Sequence, residues 1–83
     1  MGSKEKLIER FKSIPTDFTW DELLRLFHIL GFELKNKGKT SGSRAMFVKG
    51  SLKRIIHKPH PQKFIKEYIM KETLQFLENN NLI

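Results

Sequence analysis

The sequence predicts an α+β domain in which a three-stranded antiparallel β-meander has helices packed on one face. Three observations predict it. Apolar residues recur at helical spacing toward both ends of the chain, the middle switches to a period of two broken by glycine turns, and two prolines close the strand segment. With 83 residues there is material for one modest core and no second one, so the whole chain 1–83 is expected to form a single domain.

Residues 4–13 place Leu7, Ile8 and Phe11 on one helical face, and Ile14-Pro15 ends that helix. The next start is marked by Thr19-Trp20-Asp21-Glu22, a capping box with Thr19 as N-cap and Glu22 three residues on. Phe18 and Leu23 form the matching hydrophobic staple. The helix that follows is expected to bury Trp20, Leu23, Leu24, Phe27 and Leu30 along one stripe, with Trp20 in the core, and to stop at Gly31. Phe32 and Leu34 then alternate with Glu33 and Lys35 as a first strand, and Gly38–Gly42 reads as a loop. A second strand spans 43–49 and a third 52–57, joined by the two-residue turn Gly50-Ser51. Periodicity alone leaves two choices for the second strand. The reading adopted turns Ala45 and Phe47 inward and sends Arg44 to the open side with Lys35 and Lys37. Lys58-Pro59-His60-Pro61 ends the strands, because proline cannot donate to the ladder. A last helix from about Lys66 to Asn79 directs Ile69, Thr73, Phe76 and Leu77 to the core, with Ile65 and Tyr68 near its start. The run Asn79-Asn80-Asn81 terminates it, since asparagine tolerates left-handed backbone.

The net charge of +7 is unevenly placed. Every carboxylate lies at or before Glu33 or at or after Glu67, and between them stand ten lysines and arginines. A stretch of this kind projects positive potential toward a polyanion. No basic amphipathic helix carries the charge, so nucleic acid is favoured over a membrane surface. The chain has no cysteine, which removes disulfides, thiolate metal sites and cysteine nucleophiles and suits the cytoplasm. Apolar runs are too short to span a bilayer.

The phrase Gly31-Phe32-Glu33-Leu34, the turn Gly42-Ser43 entering a strand, and Ile56-His57-Lys58-Pro59-His60-Pro61 together resemble the HicA toxins of bacterial toxin–antitoxin pairs. The resemblance covers residues 19–82 as a HicA-like core, with 1–15 as an N-terminal helical extension. It implies a double-stranded-RNA-binding-domain-like fold, an endoribonuclease that cleaves mRNA without a metal, and neutralisation by a HicB-type antitoxin. The alternative is a non-catalytic RNA-binding module of the same fold. At one position the chain departs from the family pattern: HicA toxins commonly carry a catalytic histidine directly after the Gly-Ser turn, and Arg44 stands there.

Metal-free RNA cleavage needs a base for the 2′-hydroxyl, an acid for the leaving oxygen and cations around the phosphorane. Arginine stays protonated and cannot be that base, so Arg44 is expected to clamp a phosphate while His57 or His60 moves the proton. Lys35, Lys37 and Lys39 are expected to steer RNA electrostatically, with Lys53, Arg54 and Lys58 adding phosphate contacts. Ser43 is placed to hydrogen-bond a phosphate, though a serine after glycine also serves turn chemistry. No metal site is expected, because two histidines without a neighbouring carboxylate or cysteine supply too few ligands, and no cofactor is expected.

Overall fold

The computed structural model describes residues 3–35, 44–59 and 62–83. The element order is α1 (Ser3–Lys12), α2 (Trp20–Ile29), β1 (Glu33–Leu34), β2 (Arg44–Lys49), β3 (Leu52–His57) and α3 (Glu67–Asn79). The three strands form one antiparallel sheet in the order β1-β2-β3. This is the expected α-α-β-β-β-α succession. From α2 to α3 it follows the α-β-β-β-α order that the family resemblance implies.

Local chemistry sets the helix ends. Thr19 Oγ1 accepts from the Glu22 amide at 3.2 Å and the Glu22 carboxylate accepts from the Thr19 amide at 2.9 Å, so the capping box is complete. Phe18 and Leu23, the staple pair, are both fully buried. At the other end of α2, Gly31 adopts φ +94°, its amide donates to His28 and the Phe32 amide donates to Phe27. The Phe27 and Phe32 rings meet edge-on at 4.9 Å, so the bonds that stop the helix also carry an apolar contact. Asn81 plays Gly31's part after α3, with φ 58° and the Leu82 amide donating to Leu77.

The helices lie on one face of the sheet. Phe27 of α2 stacks on Phe47 of β2 with centroids 4.1 Å apart, and Ala45, Phe47 and Ile56 are buried. Ala45 and Phe47 therefore point inward, as expected. Phe11 of α1 is also fully buried, so the N-terminal helix contributes to the same core. Arg10 pins α1 to the start of α2 through bonds to Glu22 at 2.9 Å and Asp17 at 3.1 Å. Hydrogen bonding from the Arg10 guanidinium holds the Glu22 carboxyl below the usual glutamate range, against a smaller opposing effect of burial.

Some expectations are corrected. Trp20 is half-buried; as the first residue of α2 it sits on the flank of the stripe, its ring tilted against Phe47 at 6.4 Å, while Leu26 takes a fully buried place. Leu34 shares the face of its partner Phe47, yet it is exposed, because it sits on the short edge strand. In α3 the buried residues are Met70, Thr73 and Leu77, and Tyr68 is exposed. The predicted Gly38–Gly42 loop lies outside the described residues.

Candidate nucleic-acid interface

The register of the hairpin decides which cations share a surface. Gly50 takes φ 61° at the turn, and Lys49 pairs with Leu52. Counting back from that closure, Phe47 opposes Arg54, Met46 opposes Ile55, Ala45 opposes Ile56 and Arg44 opposes His57. Side chains of directly opposed residues leave the same face, and each strand alternates. The helix-free face consequently carries Arg44, Met46 and Val48 from β2 and Lys53, Ile55 and His57 from β3.

Arg44 and His57 are thus cross-strand neighbours, with β-carbons roughly 4.5–5.5 Å apart as in such pairs generally. Both are exposed, and neither side chain has a hydrogen bond or an ion pair among the described residues. Lys53 and Lys58 are exposed nearby along β3 and just beyond it. Lys35 continues the β1 ladder, its amide donating to Met46 at 2.8 Å, so its side chain belongs to this face as well. Its ammonium pairs with Glu33 at 3.3 Å, which places one local carboxylate inside the basic surface. The centre is apolar: Met46 and Val48 are half-buried and Ile55 is 48% exposed. The face is an apolar strip with cations at its ends and along its edges.

Arg54 is not part of it. It faces the helices, where its guanidinium donates to Thr73 Oγ1 at 3.1 Å, lies 3.8 Å from Glu72 and stacks 5.8 Å from the Phe76 ring centre. Glu72 is distant in sequence, so a charge distribution segregated along the chain is partly neutralised in space. The signal for this placement was present in the sequence: with Phe47 inward and a two-residue turn, parity alone sends Arg54 inward. Lys37, Lys39, Ser43 and His60 lie outside the described residues. His28 is exposed on α2 and borders a hollow beside β1.

Where β3 ends, His57 also lines a hollow of about 380 Å³ between the strand and the start of α3, together with Lys58, Lys66 and Tyr68. Among the described residues no three His, Cys, Asp or Glu side chains converge on a point, and no helix is long and apolar enough to cross a membrane. What the face can do follows from its groups: Arg44 offers a guanidinium that can bind a phosphate bidentately, and His57 an imidazole whose two nitrogens can donate and accept hydrogen bonds.

A family model described as the HicA toxin of bacterial toxin–antitoxin systems matches residues 20–77, from the first residue of α2 to the last turns of α3. The chain belongs to the HicA toxin family. Membership makes it the toxin component of a toxin–antitoxin system, with an antitoxin as its partner. Neither the curated proteins nor the solved structures gave a match. The HicA match spans the whole sheet, including both strands that carry Arg44 and His57, and leaves α1 outside it.

Proposed function

We propose that this HicA-family toxin acts in the cytoplasm by binding mRNA across the helix-free face of its sheet and cleaving it, and that a HicB-type antitoxin covers that face. The observation that carries the reading is the cross-strand pairing of Arg44 with His57 on a basic surface that carries a single carboxylate, Glu33. In the proposed step, His57 takes the proton of a ribose 2′-hydroxyl and the oxygen attacks the adjacent phosphorus. The bond to the 5′-oxygen then breaks, and that oxygen leaves with a proton from solvent or from His60. The products are a 2′,3′-cyclic phosphate and a 5′-hydroxyl. Arg44 binds the non-bridging oxygens as negative charge grows on them, the role a fixed cation fills best. Lys35, Lys53 and Lys58 hold the flanking phosphates, with Lys37, Lys39 and Ser43 proposed as further contacts. Arg54 is left out of this set, because its guanidinium is occupied on the opposite face.

Induced expression in a bacterial host, with growth and mRNA integrity followed together, tests the reading. The parent should arrest growth and leave mRNA fragments ending in 2′,3′-cyclic phosphate. His57→Ala should abolish cutting, a loss on the order of 10²–10⁴-fold, while RNA binding persists. Arg44→Ala should weaken both. If His57→Ala and the double variant with His60→Ala still cut RNA, the proton carrier lies elsewhere. The substitution of arginine at the family's usual histidine position favours a second reading, a non-catalytic RNA binder. A parent that binds RNA without cutting it decides for that reading.

A further inference from the structure

The hollow beyond His57 shares His57 and Lys58 with the chemistry above, but its other lining residues have no part in it, and its composition is specific. It lies between the end of β3 and the first turns of α3 and is continuous with the Arg44–His57 pair, since His57 borders both. Its volume, about 380 Å³, falls at the lower end of the roughly 300–1,000 Å³ range of clefts that hold small ligands. Ile65 and Ile69 give it an apolar floor, Lys58 and Lys66 stand on its rim, and no carboxylate is among the described residues that line it. Tyr68 also lines it and is 59% exposed, on a helix whose buried side is already filled by Met70, Thr73 and Leu77. An aromatic ring left in solvent at a hollow that two lysines also line is poorly explained by packing.

Resting on the RNA-binding reading, we propose that this hollow is a nucleotide subsite, in which one unpaired base of single-stranded RNA stacks on Tyr68 while Lys58 and Lys66 hold its phosphates. A flat π-face beside cations is the arrangement by which proteins hold single strands, because every base can stack and every linkage is anionic. A duplex keeps its bases stacked on one another and cannot present one here, so the subsite selects single-stranded RNA over double-stranded RNA. It also fixes the strand's position. With one base seated beyond His57, the neighbouring linkage lies over the His57 imidazole and the Arg44 guanidinium, which are adjacent across the hairpin.

The test measures binding of the full chain to a short mixed-sequence single-stranded RNA made uncleavable by 2′-O-methyl substitution at every residue, across a salt series. Tyr68→Ala should weaken binding roughly 5- to 150-fold, the equivalent of one lost base–aromatic stack, and leave the slope of log K against log salt unchanged. Tyr68→Phe should bind like the parent, and Lys66→Gln should flatten the slope by about 0.7. A second probe, the same backbone without bases, should bind parent and Tyr68→Ala alike. If Tyr68→Ala fails to fold, Tyr68→Leu gives the same answer, because leucine keeps bulk and removes the π-face. A parent that binds RNA with undiminished affinity in Tyr68→Ala overturns the subsite and leaves the RNA-binding reading standing. Unchanged RNA binding with weakened antitoxin binding assigns Tyr68 to a protein contact and overturns it as well. A parent that binds no RNA removes the reading on which the subsite rests.

Discussion

Arg44 and Arg54 leave the same β-hairpin in opposite directions, and their surroundings differ completely. Arg54 turns to the helices and is held by the Thr73 hydroxyl, the Phe76 ring and, more loosely, Glu72, while its Nε is buried with no hydrogen-bond partner. Arg44 turns to solvent beside His57 and has no partner among the described residues. Both come from one stretch of sequence without a carboxylate, and residue type alone does not mark one as structural and the other as available. Strand parity separates them. A cation on the inner face must be satisfied within the protein, because desolvation is costly, whereas one on the outer face keeps its charge for a ligand. Net charge counts both, and only one contributes to the surface an RNA would meet.

The largest expected effects test that division at neighbouring residues. Phe47→Ala removes a fully buried ring stacked on Phe27 and should cost about 3–5 kcal/mol of stability in chemical denaturation. Met46→Ala, one residue earlier on the opposite face, should cost less than about 1 kcal/mol. The reverse order would mean that the two faces of β2 had been exchanged.

The two arginines themselves come next. Arg54→Ala strands the Thr73 hydroxyl and strips the contact from Phe76, for an expected loss of about 1–3 kcal/mol, with no change in RNA affinity beyond that caused by unfolding. Arg44→Ala should alter stability by no more than about 0.5 kcal/mol and should lower RNA affinity measurably. Denaturation curves and binding isotherms on the same two proteins should rank them in opposite orders. A shared ranking would remove the distinction.

Much of this arrangement can be read from the sequence where it depends on near neighbours. The capping box at Thr19 and Glu22, the stop at Gly31 and the closure at Gly50-Ser51 each involve a few consecutive residues whose backbone chemistry permits little else. The adjacency of Arg44 and His57 follows from the same turn by counting. What could not be read depends on how separate elements meet. Trp20 fits the apolar stripe, but its depth depends on how far β2 extends beneath it. Leu34 fits the alternation of its strand, but no helix covers it. The hollow at Tyr68 exists only because α3 returns against the end of β3, and no spacing in the chain encodes that contact.

The helix side also contains a carboxyl whose ionisation is tied to folding. Arg10 lowers the pKa of Glu22 in the folded state, chiefly by hydrogen bonding, so Glu22 stabilises the fold above the ordinary glutamate range. That contribution should fade as pH falls through the lowered folded value. Arg10→Ala should flatten the acid limb of the stability profile, and substitutions at Arg44 or Lys53 on the open face should leave it unchanged. Thr19→Ala, which removes the hydroxyl half of the capping box, should cost about 1 kcal/mol at neutral pH.

The smallest expected effect concerns the one place where the open face carries a carboxylate. Glu33 pairs with Lys35 at 3.3 Å, and both side chains are well exposed, so the pair contributes little to stability. Its consequence for binding is different in kind. A carboxylate on Lys35 competes with a phosphate for the same ammonium and repels the strand that brings it. Glu33→Gln should therefore raise affinity for short single-stranded RNA at low salt, by at most about fivefold given the usual worth of an exposed pair. The salt dependence should steepen by up to about 0.7 in the slope of log K against log salt, because one more phosphate contact releases its counterion. Unfolding should be unaffected. Lys35→Gln should move affinity and slope the other way, and in the double variant the gain from Glu33→Gln should vanish, because no ammonium is left to release. If Glu33→Gln binds RNA no better than the parent, or if its gain survives the loss of Lys35, then Lys35 is not held back by its neighbour, and the β1 edge lies outside the surface defined by Arg44 and His57.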